Sequence, residues 1–314
     1  MSSSSISSQN NPPYPSLSAP CRHIVYLLLA PWRPNKLEPQ KHMKKITTLL
    51  TLTALSLGGA SAAVTSGNLL ALYDFNGNSN DGSGNGATGA LTDGAVISAD
   101  GAGYSSAIGD SALDLGASGG GARSVSTVAL TSSTANNSMA VSFWQFNLGD
   151  GAGANAATTP FGILDGATGR GFGAHAPWSN GTFYFDHAGC CDPPQRLTTA
   201  VGTSLLNSWH HIVLQVDGGN KQIWIDGVMA AEQVTGAAAI PTLTGVVNVG
   251  AQYDNSVSFG GRIDEFAIWN VALAESEIQA LAGGASTLSI IAVPEPSSSL
   301  LVLLSGLMII RRRR

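Results

Sequence analysis

The sequence predicts an all-β fold: two antiparallel sheets packed as a sandwich, with one short helix near the C-terminal end. Three observations carry that expectation. Short apolar or alternating runs recur along the chain, and turn signals close each of them. Glycine is abundant, 38 in 314 residues, which supplies the many turns such a fold needs. A helical period shows in a single stretch, where Ala274, Ile278 and Leu281 share a face. There Glu275 and Glu277 suit the N-terminal dipole and Gly283 suits the end.

In order, Leu69-Leu70-Ala71-Leu72-Tyr73-Asp74-Phe75 reads as a strand, and residues 80–86 are too polar and Gly-rich for a regular element. Further strands fall at 112–116, 140–146, 161–164, 182–186 and 246–250. Residues 148–159 form a Gly/Ala-rich loop, functional or mobile, in which Asp150 is the sole charge. The stretch from Trp209 to Asn270 organises the rest: Trp209-His210-His211-Ile212-Val213-Leu214-Gln215-Val216, then Lys221-Gln222-Ile223-Trp224-Ile225, then Gly261-Arg262-Ile263-Asp264-Glu265-Phe266. Asp217-Gly218 and Asp226-Gly227 suit tight turns, so the first two pair as an antiparallel hairpin.

Both ends carry processing signals. Met43-Lys44-Lys45, the apolar run 46–57 and Ala60-Ser61-Ala62 follow the order of a signal peptide, which places residues 1–42 as a mis-assigned extension and cleavage after Ala62. At the other end, residues 284–314 form a linker and a tail. Its Pro294-Glu295-Pro296, apolar run 300–310 and Arg311-Arg312-Arg313-Arg314 resemble a PEP-CTERM sorting signal. The resemblance implies transient membrane insertion of the tail, removal by an exosortase-type enzyme, and delivery to the cell surface or extracellular matrix of a Gram-negative bacterium. Between Ala63 and Pro294, five Lys+Arg face eighteen Asp+Glu, a net charge of −13. So acidic a domain is unsuited to nucleic acid, which is held by releasing counterions to cationic side chains.

The domain at 63–283 resembles the laminin-G-like, concanavalin A-like proteins. The resemblance rests on Tyr73-Asp74-Phe75, Asp81-Gly82-Ser83-Gly84-Asn85-Gly86, Ser142-Phe143-Trp144, Trp209-His210-His211 and Ile263-Asp264-Glu265, in that order. It implies a concanavalin A-like jelly roll and a carbohydrate-binding or adhesive role. A structural matrix or biofilm component without a specific ligand is the alternative, and a glycoside hydrolase a remote one. Retaining glucanases need two carboxylates ≈ 5–5.5 Å apart, and this domain has no Glu-x-Asp-x-x-Glu run. Asp264 and Glu265 are adjacent and point to opposite faces of a regular strand, as do His210 and His211. No Ser/His/Asp pattern stands out. We therefore expect no enzyme.

Two candidate sites remain. Asp81, Ser83 and Asn85 offer oxygens at alternate positions of a Gly-rich loop, which suits calcium or a plain Asx-type turn; Asp264 is the carboxylate expected from the late strand. Cys190-Cys191 is an adjacent pair near Trp178, Tyr184, Asp186 and Arg196, residue types that sugar sites use. A vicinal disulfide, two free thiols and bridges between chains are the readings of the pair. The first would leave a rigid sulfur face for a sugar ring.

Overall fold

The computed structural model describes residues 63–116, 137–149, 158–166 and 169–291. The extension, the leader, the sorting tail and Asp150 lie outside the described residues. Thirteen strands occur among the described residues: β1 (Leu69–Tyr73), β2 (Val96–Ile97), β3 (Leu113–Asp114), β4 (Ser138–Asn147), β5 (Phe161–Asp165), β6 (Phe172–His175), β7 (Thr182–His187), β8 (Arg196–Ala200), β9 (Trp209–Asp217), β10 (Asn220–Ile225), β11 (Val228–Gln233), β12 (Leu243–Val249) and β13 (Gly261–Trp269). One helix, α1 (Glu275–Ala282), follows them. The eight-stranded sheet runs β11-β10-β9-β4-β13-β3-β2, with β1 also paired to β13, and the five-stranded sheet runs β12-β5-β6-β7-β8. All the ladders are antiparallel.

Alternation along the strands builds the core. Phe143, Ile212, Leu214 and Phe266 of the large sheet meet Phe161, Phe172, Phe183 and Phe185 of the small one in one buried cluster. The Phe143 ring lies edge-on to Phe161 with centroids 5.6 Å apart. The residues between face outward. On the large sheet, Ala140, Val213, Trp224 and Trp269 form a second cluster with Ile278 and Leu281 of α1. Glu277 fastens that helix: Oε2 accepts the N–H of Ala274 at its start, and Oε1 accepts that of Val64. Among the described residues no such helix covers the outer face of the small sheet, and the candidate site lies there.

The expected sandwich, the β9–β10 hairpin and the helix are present. β2, β6, β8 and β11 are additional strands. β8 and β11 are edge strands whose residues are mostly exposed or half-buried, and β6 carries Gly173 and Ala174 in the middle of its four residues. β13 also departs from strict alternation. Its register with β4 shifts between Asp264 and Ala267, and Glu265 takes a φ of 47°, so the opposite-face geometry of a regular strand does not hold at this bulge.

Candidate functional site

The site grows from the register of three neighbouring strands. On β7, Phe183 and Phe185 point into the core, which turns Tyr184 and Asp186 outward. His175 of β6 and Thr198 of β8 flank Tyr184, while Gly173 and Arg196 flank Asp186. The next residue in that row is Gly162 of β5. With two glycines in line, the row carries no side chain there, and the 252–253 loop lies on the sheet. A Cβ at Gly162 would collide with the backbone nitrogen of Tyr253. A hollow of about 310 Å³ results, bordered by Arg170, His175, Trp178, Tyr184, Cys191 and Arg196, with Asn180 and Gln252 at its rim. That volume is at the small end for ligand sites.

Asp186 lies beneath the hollow, 2% exposed, and anchors both arginines. Its Oδ1 accepts from Nε of Arg196, and its Oδ2 from Nη2 of Arg196 and Nη1 of Arg170, at 2.6–2.7 Å. The Arg196 guanidinium lies over the Tyr184 ring, 4.5 Å from its centre, and Arg170 over Tyr253 at 5.7 Å. Hydrogen bonding to Asp186 raises the Arg196 pKa above its already high ordinary value. His175 meets the Trp178 ring edge-on, with centroids 4.5 Å apart, and its Nδ1 bonds Oγ1 of Thr159. Burial pushes its pKa down to about 4, so the ring is neutral at neutral pH. Cys190 and Cys191 are joined as a vicinal disulfide in the β7–β8 connection. That connection is held by Gln195, whose Nε2 donates to the carbonyl of Ala188.

Trp178, Tyr184, Cys191 and Arg196 all border the hollow, Cys190 does not, and Asp186 is a buried anchor rather than a lining group. Arg170, Asn180 and Gln252 were not anticipated. They arrive from loops that only the sheet order brings close, although Arg170 is one of few cations in an acidic domain.

The oxygen-rich loop has different geometry. Asp81 Oδ1 accepts the N–H groups of Leu72 and Ser83, and Oδ2 those of Ala87 and the Ser83 hydroxyl. Burial works against the carboxylate, but these four bonds outweigh it and hold its pKa below the usual range. Asn85 turns its Nδ2 onto the carbonyls of Leu69 and Leu70. The three side chains bond the loop and β1 in an Asx-turn arrangement. Asp264 is fully buried, accepts N–H bonds from Tyr104 and Glu265, and is pushed up to a pKa of about 8 by that burial.

A Ser–His–Asp relay, unanticipated, lies at the start of β9. The Ser208 hydroxyl is 2.8 Å from Nε2 of His210, whose Nδ1 is 2.7 Å from Oδ2 of Asp226. Asp226 Oδ1 also accepts the N–H of His211, across the β9–β10 hairpin. The order matches that of a catalytic triad, and the relay ties the β9–β10 turn; these side chains do not line the hollow. A groove of about 710 Å³ runs over the large sheet beside Trp224 and Leu273, where amides such as Gln215 and Gln222 bond one another.

The family profile described as the concanavalin A-like lectin/glucanases superfamily matches residues 118–279. No curated protein matches the chain. Among solved structures, the binding domain of botulinum neurotoxin DC in complex with rat synaptotagmin II is similar at a TM-score of 0.53 and 14% identity, over 71% of this chain and 52% of that one. A botulinum neurotoxin type C structure, tied to interaction with two ganglioside molecules, gives 0.52 and 15%, over 70% and 52%. The neurotoxin DC domain in complex with SialylT gives 0.51 and 14%, over 71% and 52%. The chain spans about half the length of these solved chains, and at such identity the likeness is one of fold. With the family profile covering more than half of its residues, and two antiparallel sheets packed as that fold requires, the chain belongs to the concanavalin A-like lectin/glucanases superfamily.

Proposed function

We propose that this protein is an exported, non-catalytic domain that binds polysaccharide through the hollow on the five-stranded sheet. The observation that carries the reading is the hollow itself: an indole, a phenol and two fixed guanidinium groups around a rigid rim. Aromatic faces pack against the apolar face of a sugar ring, and a few placed polar groups orient its hydroxyls. The type C neurotoxin, tied to interaction with gangliosides, shares the fold, which is compatible with the reading. Asp186 is the carboxylate at the floor and is engaged by both arginines, so a glycosidase pair is not supplied there. Export rests on the leader at 43–62, and surface or matrix sorting by an exosortase-type enzyme rests on Pro294-Glu295-Pro296 and the tail after it.

One experiment separates a binder from a structural component. Protein recovered from the cell surface, with a mass that starts at Ala63 and lacks residues 311–314, is applied to a glycan array beside its Trp178→Ala variant. The expected result is a defined set of glycans that the variant loses at least about tenfold, the effect of ~1.4 kcal/mol of stacking. An array that stays blank, with the fold intact by circular dichroism, assigns the protein to the matrix scaffold instead.

A further inference from the structure

We propose that the hollow selects acidic sugars, with the carboxylate of a uronate- or sialate-type residue held by Arg196 while the ring packs on Trp178 and Tyr184. This rests on the glycan-binding reading and specifies its ligand class.

The argument is a balance of donors and acceptors. Asp186, the one carboxylate at the floor, already accepts from three guanidinium nitrogens. Arg196 has five N–H donors and spends Nε and Nη2 on Asp186; its Nη1 has no hydrogen bond among the described residues, and its side chain is 20% exposed. The Tyr184 oxygen accepts from Nδ2 of Asn180, so its own proton is free to be donated. Asn180 Oδ1 in turn accepts the N–H of Thr182. The lining therefore offers N–H and O–H groups and few unspent acceptors. A neutral sugar, whose hydroxyls each bring a donor, leaves that lining half matched. A carboxylate brings acceptors alone, with the planar shape that a guanidinium fork fits.

Charge placement agrees. The described residues contain four Lys and Arg, and two of them, Arg170 and Arg196, border the hollow and bond Asp186 directly. Asp192 acts on Arg196 and Asp254 on Arg170, but both carboxylates are exposed and stand outside the lining. Two guanidinium groups thus border the hollow in a domain of net charge −13, which repels polyanions elsewhere. The guanidinium planes are held by Asp186 and by the rings beneath them, so little ordering cost is left for binding.

Calorimetric titration of the purified protein tests this with an oligouronate, a neutral oligosaccharide of equal length, and acetate. The oligouronate is expected to bind at least about tenfold tighter than the neutral oligomer, and to weaken several-fold as salt rises. Arg196→Gln is expected to remove that preference. Tyr184→Phe, which leaves the Asp186 bonds intact, is expected to lower uronate affinity about three- to tenfold, so the claim stays testable if Arg196→Gln fails to fold. Equal affinity for the two oligomers, unchanged by either variant, overturns the acidic selectivity and leaves the glycan reading standing. Acetate competing as well as the oligouronate, at equal carboxylate concentration, overturns it in favour of a simple anion site. Binding by neither oligomer overturns both readings.

Discussion

Lys221 extends from β10 into the row of inward-facing residues that contains Ile223 and Ile225, and it is fully buried. Its Nζ donates to the carbonyls of Phe185 and Gln195, and it stands 4.1 Å from the centre of the Phe185 ring. Two N–H donors are what a neutral amine has, and burial lowers the pKa from 10.5 to about 7. Between those values the unfolded chain holds a proton that the folded chain does not, so folding stability rises with pH across that window. We expect the difference in unfolding free energy between the protein and its Lys221→Met variant to grow from pH 7 toward pH 10 in the protein's favour. Its slope should reach up to about 1.4 kcal/mol per pH unit. Urea unfolding at several pH values measures it, and parallel curves would mean that the lysine is charged in the fold. The anchoring of Gln195 by Lys221 has no signature in the sequence, since that contact spans the two sheets.

At the scale of elements, the hollow depends on a loop lying flat against β5. Gly162→Ala would press a methyl group into the backbone of Gln252 and Tyr253, and a backbone cannot rotate away as a side chain can. The expected cost is about 1–3 kcal/mol by chemical denaturation, together with weaker glycan binding as Gln252 and Tyr253 lift from the sheet. An unchanged midpoint and affinity would show that the loop is not part of the site. Strong strands such as β9 were readable because apolar residues face both packed layers along them. β6, β8 and β11 were hidden, because Gly173 and the exposed edges at 196–200 and 228–233 remove the pattern that marks a strand. The loop at 80–86 reads in sequence as either a metal cage or an Asx turn, and the donors that β1 and Ala87 bring to Asp81 have no signature in the loop's own composition.

For the whole molecule, the two sheets have been put to different uses. The outer face of the eight-stranded sheet is covered by α1 and by the stack of Tyr104, Trp144 and His211. The five-stranded sheet leaves its outer face to the hollow, where cations concentrate in an otherwise acidic domain. The groove beside Trp224 is more than twice as large, but its amides are bonded to one another and to the backbone of Leu273. Volume and chemistry therefore point to different faces, and we follow the chemistry. The most direct test is a crystal structure of the protein with a bound oligosaccharide. The account predicts a sugar ring stacked at Trp178 and Tyr184, with an oxygen within hydrogen-bond distance of Arg196 Nη1. A sugar lodged instead beside Trp224, with the hollow empty, would contradict it.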